Sequence, residues 1–80
     1  MNIKILGPGC AKCQTLEKTV KEVVSEMKLD ATVEEVRDMK KIMEYPILMT
    51  PGLVIDEELV SSGRVLSKDE VAKAITKAMS

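Results

Sequence analysis

Ile3-Lys4-Ile5-Leu6-Gly7-Pro8-Gly9-Cys10-Ala11-Lys12-Cys13 joins a short apolar run to the chain's only two cysteines through a proline flanked by glycines. Ile3, Ile5 and Leu6 read as a strand. Gly7-Pro8-Gly9 ends it, because proline has no N–H for the sheet ladder and glycine favours a turn. From Ala11 to about Lys28, apolar residues at Leu16, Val20, Val23, Val24 and Met27 follow steps of four, three, one and three, one stripe of an α-helix. Cys10 therefore stands at or near the N-cap. Unpaired N–H groups and partial positive charge there favour a thiolate over a thiol. The spacing proposes dithiol redox chemistry.

Working outward, Ala31 to Val36 is rich in β-branched residues and reads as a half-exposed edge strand, with Glu34 and Glu35 discouraging further pairing. Asp38 is placed to cap a short helix presenting Met39, Ile42 and Met43 on one side and finishing at Tyr45, before Pro46. Leu53-Val54-Ile55 is a continuous apolar run, as in a strand covered on both faces. With Leu59-Val60 across the polar interval Asp56-Glu57-Glu58 it makes a hairpin. Gly63 permits a turn or bulge after the second hairpin strand. Ser67-Lys68-Asp69-Glu70 has the capping-box form, and Val71, Ala74, Ile75, Ala78 and Met79 give the buried face of a last helix. The order is β-α-β-α-β-β-α, an α/β domain with a four-stranded mixed sheet and three helices.

Eighty residues are expected to form a single domain, 1–80, at a size where folding buries only roughly 60 to 65% of the unfolded surface. A charged fraction of 31% and a formal net charge of −1 give no bias toward nucleic acid or an anionic membrane. No apolar run approaches membrane-spanning length, and residues 1–6 are too few for a signal-peptide core, so the expectation is a soluble cytoplasmic protein. In a reducing compartment two cysteines at this spacing read as catalytic or metal-binding rather than as a structural staple. There is no His, Trp or Phe, and Tyr45 is the one aromatic residue. That removes His-assisted nucleophilic catalysis, most metal sites other than thiolate ones, and any platform for stacking bases.

Gly9-Cys10-Ala11-Lys12-Cys13 after the first strand, Thr50-Pro51 directly before an apolar strand, and the order of elements together resemble the thioredoxin superfamily in its minimal form. The closer likeness is to the small archaeal and bacterial thioredoxin-like, glutaredoxin-like proteins called redox-active disulfide proteins. The resemblance implies that Pro51 is cis and faces the cysteines, and that the Thr50 backbone binds an extended substrate segment; the alternative is a trans Pro51 that simply starts a strand. It further implies a monomer without a cofactor, acting on protein disulfide substrates and reduced by a thioredoxin reductase-type donor.

Two departures stand out. Ala11-Lys12 replaces the usual Gly-Pro, and the tryptophan that usually precedes the first cysteine is missing. In addition, Lys4 stands roughly where thioredoxins resemble one another in a buried acid, and Glu34 roughly where they carry a lysine. Either Lys4 points inward and Glu34 pairs it, tuning the thiols, or both side chains lie in water.

Cys10, at the helix start, is the expected nucleophile, and Cys13, one turn in, the resolving thiol. Lys12 is expected in solvent near the thiols, where it favours a thiolate or an acidic partner. Ile47, Met49 and Met43 read first as core fillers. The rival function is a soft-metal module, since two thiolates suit Cu(I). Pro8 counts against it, because copper chaperones with this motif usually carry Met there. Zinc would need further ligands than two thiolates. A noncatalytic scaffold or redox sensor is the remaining alternative.

Overall fold

The computed structural model describes residues 1–79; Ser80, the last residue of the expected 1–80 unit, lies outside them. The elements are β1 (Asn2–Leu6), α1 (Ala11–Glu26), β2 (Thr32–Val36), α2 (Met39–Ile42), β3 (Gly52–Ile55), β4 (Glu58–Ser62) and α3 (Lys68–Met79). They form the β-α-β-α-β-β-α order read from the sequence. The strands make one mixed sheet in the order β2-β1-β3-β4. β1 pairs parallel with β2, with Ile5 opposite Glu35 and Leu6 opposite Val36. It pairs antiparallel with β3 on its other side. β3 and β4 form the expected hairpin.

Alternation along the central strands sorts the side chains onto two faces. Ile3 and Ile5 of β1, with Leu53 and Ile55 of β3, pack under Leu16, Val20 and Val23 of α1 and Val71 and Ile75 of α3. Leu6 and Val54 point to the opposite face, where Ile42 of α2 covers them with Tyr45, Ile47 and Leu59 around it. Each fully buried aliphatic side chain in these layers contributes roughly 1.5 to 3 kcal/mol.

α1 meets its stripe but stops at Glu26, because Lys28 takes a left-handed φ of 53°. α2 is shorter than expected. Its helical residues end at Ile42, and tighter bonds from Glu44 N to Lys41 O and from Tyr45 N to Ile42 O carry the turn on to Tyr45. Only Ile42 of its expected apolar side is buried; Met39 and Met43 are exposed, since one turn of helix can press only one residue onto the sheet. Asp38 caps it, accepting from Lys40 N at 2.9 Å.

The hairpin turns through Asp56 and Glu57, whose φ values of 49° and 68° make the two-residue primed turn that suits twisted strands. Neither residue is glycine, so side chains hold the turn. Asn2 N donates to Asp56 Oδ1 at 2.8 Å, and Glu57 is gripped by Lys4 and Tyr45. The bulge lies at Val60, where pairing jumps from Val54–Leu59 to Leu53–Ser61, and Gly63 makes the turn beyond it with φ 76°. Ser67 and Glu70 form the capping box in both directions, Ser67 N to Glu70 Oε1 and Glu70 N to Ser67 Oγ. The buried stripe of α3 ends at Ile75. Ala78 and Met79 are exposed, and Ala78 lines an open groove across from Leu59 and Val60 rather than packing onto them.

Candidate active site

β1 and β2 run parallel, so both deliver their chains to the same end of the sheet, the usual place for a site in α/β proteins. Gly7 N donates to Val36 O at 2.9 Å, which extends this pairing one step past β1. Gly9 then takes a φ of 95°, a conformation glycine adopts freely. The chain thereby turns into α1 with Cys10 as its N-cap.

Cys10 and Cys13 are free cysteines with unlike surroundings: Cys10 is exposed and Cys13 has no accessible surface. Their sulfurs lie 2.6 Å apart, within a small side-chain movement of bonding distance. Cys13 N also points at Cys10 Sγ, at 3.4 Å. The hydrogen bond from Cys13, then the backbone N–H groups at the helix start, pull the Cys10 thiol below its ordinary pKa. Burial first, then the neighbouring Cys10, pushes the Cys13 thiol up. The pair thus holds an accessible sulfur stabilised as thiolate above an enclosed sulfur kept as thiol.

Cys13 owes its place to Gly7. A Cβ on Gly7 would stand 2.2 Å from Cys13 Sγ and 3.9 Å from Thr50 Cβ. The same point therefore fixes Thr50 beside the thiols, although it lies far along the chain. The Thr50-Pro51 bond is cis, and Pro51 is buried. Its carbonyl accepts from Gly63 N at 2.8 Å. Ser62 Oγ takes Leu48 N and Met49 N and donates to Met49 O, so the hairpin holds the segment before Thr50 from behind. Met43, Leu48 and Met49 are exposed, at 75%, 93% and 67%, rather than filling the core. Ile47 alone of the expected fillers packs inward.

Lys12 is exposed in the first turn of α1. Lys4 and Glu34 are strand neighbours across β1 and β2, yet Lys4 does not pair with Glu34. Its Nζ donates to Glu57 Oε1 at 2.6 Å and to Tyr45 OH at 3.2 Å, while Tyr45 OH donates to Glu57 Oε2 at 3.1 Å. The hydrogen bonds from Lys4 and then Tyr45 hold the Glu57 carboxyl below its usual range. The physical reason is alternation: Lys4 sits between Ile3 and Ile5, so it points to the α2 face, away from the helix that carries the cysteines. There it leans toward the β3–β4 turn, and Glu34 is left exposed.

Arg37 was not singled out from sequence and belongs to this end of the molecule. Its guanidinium comes within 3.6 Å of where a Gly9 Cβ would stand, and its Nη2 donates to Glu35 Oε2 at 3.0 Å. The signal for it was Glu35-Val36-Arg37, two opposite charges at strand spacing just where β2 runs out. For Gly7 the signal was a glycine placed directly after a buried strand.

Among the described residues no cluster of three or more His, Cys, Asp or Glu side chains could hold a metal ion, and no helix is long and apolar enough to cross a membrane. Compared with known proteins, residues 1–76 match the family model described as Thioredoxin domain. A thioredoxin of Methanothermobacter thermautotrophicus is 45% identical over 76 residues, covering 95% of this chain and 99% of that protein. A thioredoxin of Methanocaldococcus jannaschii is 34% identical over 73 residues, covering 91% and 84%.

Proposed function

The chain belongs to the thioredoxin family and is a thiol-disulfide oxidoreductase; on that premise we propose how its residues divide the reaction. Cys10 is the nucleophile and Cys13 the resolving thiol. The observation that carries this assignment is their unequal exposure and opposite pKa displacement.

In the reducing direction, Cys10 thiolate attacks one sulfur of a substrate disulfide. The substrate S–S bond breaks, a Cys10–substrate disulfide forms, and the other substrate sulfur leaves as thiolate and takes a proton from solvent. Cys13 then gives up its proton to the departing sulfur and attacks Cys10 Sγ. The substrate leaves as a dithiol, two electrons richer, and Cys10-Cys13 becomes the disulfide. Neither step draws on a cofactor. Thr50, near Cys13, and the cis Pro51 that follows it offer the backbone against which an extended substrate segment lies; Lys12 adds positive charge to the approach. Lys4, engaged with Glu57 and Tyr45, acts on the thiols only through the sheet, and Glu34 faces water.

Protein disulfides are the substrates, and a reductase returns the electrons, as in the family generally. For this chain we read a thioredoxin reductase-type donor, a monomer acting as one unit over 1–80, and a cytoplasmic setting. The support is that its two thiols are suited to cycling in a reducing compartment.

Trapping tests the roles. Cys13→Ser incubated with a disulfide-bonded protein should accumulate a mixed disulfide through Cys10, seen by mass. Trapping that instead survives Cys10→Ser and needs Cys13 would reverse the assignment. A reversible two-electron transition against a dithiothreitol couple, with metal content measured on the same sample, separates this reading from a Cu(I) carrier.

A further inference from the structure

Arg37 is held beside the loop that leads into Cys10. β1 and β2 end side by side, and the bond from Gly7 N to Val36 O brings the next residues of the two strands together. Arg37 Nε and Nη1 each lie 3.7 Å from the position of a Gly9 Cβ, one residue from the exposed Cys10. The side chain is 61% exposed, whereas its partner Glu35 is only 14% exposed. Glu35 stands opposite Ile5 in the parallel ladder, so the carboxylate that braces the arginine is itself anchored in the sheet. A guanidinium has five N–H donors in a planar fork. The bond from Nη2 to Glu35 leaves capacity for a second carboxylate on the solvent side.

We propose that Arg37, braced by Glu35 beside Gly9, selects polypeptide substrates that carry an acidic residue next to the disulfide cysteine attacked by Cys10. This rests on the oxidoreductase reading above. Consecutive residues are about 3.8 Å apart along a chain, so when a substrate sulfur reaches Cys10 its neighbouring residue passes Gly9 and comes within range of the guanidinium. Lys12 lies on the same motif and carries the same charge, so an approaching carboxylate meets no opposing acid from Cys10-Ala11-Lys12-Cys13. Because the contact is open to water, it acts as a charge at the rim of an interface acts: on encounter and register rather than on the sulfur chemistry.

The test uses the whole reduced protein and three disulfide peptides that differ only in the residue beside one cysteine: Asp, Gln or Lys. Single-turnover rates are divided by the rates of the same peptides with dithiothreitol, which removes the intrinsic effect of flanking charge on the disulfide. The expected order is Asp, Gln, Lys, with about threefold between Asp and Gln at low salt and less at high salt. Arg37→Gln should level the series, and Arg37→Glu should reverse it. The Cys10 thiolate titration should be the same in Arg37→Gln as in the parent. A preference that persists in Arg37→Gln overturns the proposal, as does a Cys10 titration that moves with it, which would make Arg37 a thiolate-tuning residue. If no peptide is reduced at all, the oxidoreductase reading falls and this proposal falls with it.

Discussion

At Gly7 the missing side chain is what lets the Cys13 sulfur lie against the end of β1. Alanine there would put a methyl 2.2 Å from that sulfur, and a cysteine side chain is too short to yield without leaving its line toward Cys10. Gly7→Ala is expected to slow resolution of the mixed disulfide by about tenfold or more, read by quenched mass analysis, while the first attack by Cys10 stays close to normal. The two thiols also set a pH dependence. Cys10 is displaced downward and Cys13 upward, so alkylation of Cys10 should fall off only when pH drops below an ordinary thiol's midpoint of about 8.5, and that of Cys13 should begin only above it. Because the Cys13 hydrogen bond is the leading cause at Cys10, Cys13→Ala should raise the Cys10 midpoint; an unchanged or lower midpoint would contradict the geometry. The unequal surroundings of the two cysteines were legible in the sequence because helix position alone separates the two sulfurs. The partner of Lys4 was not. The family resemblance set Lys4 near Glu34, and the two are strand neighbours, but nothing local says that a turn residue, Glu57, reaches the amine first.

Elements with strong local signals came out as written. The capping box of α3 needs only residues 67–70, and both of its reciprocal bonds form. Ser67→Ala should therefore cost about 1 kcal/mol, read as a lower urea midpoint with an unchanged slope. The failures cluster where an element is too short to speak for itself. α2, with four residues, offers no second turn to bury Met39 or Met43, so its apolar spacing misled. The end of α3 misled for another reason: its stripe continues through Ala78 and Met79, but Ala78 faces Leu59 and Val60 across an open groove instead of closing on them. Periodicity reports which side of a helix is apolar, not how closely the opposing surface approaches.

Over the whole molecule, two unequal layers clasp the sheet. The larger, between the sheet and the helices α1 and α3, contains Ile75 with no accessible surface. Ile75→Ala should destabilise by about 2 to 5 kcal/mol, a large part of the roughly 4 to 12 kcal/mol expected for a chain of this size. Equilibrium urea unfolding checks it, and a loss under about 1 kcal/mol would mean that α3 is not seated as described. The site draws on the strand ends, the start of α1 and the segment before β3, which only the complete topology brings together; this is why Thr50 beside the thiols followed from a family resemblance rather than from spacing.

The enclosure of Cys13 has one more consequence. Its surroundings exist only in the folded chain, so folding and electron transfer are two sides of one closed thermodynamic cycle. Whichever of the dithiol and disulfide forms the native structure prefers, relative to the open chain, must resist denaturation more by that same free energy. Calorimetry on the two forms would then weigh this protein's appetite for electrons against that of its own unstructured Cys10-Cys13 segment, with no redox partner in the cell.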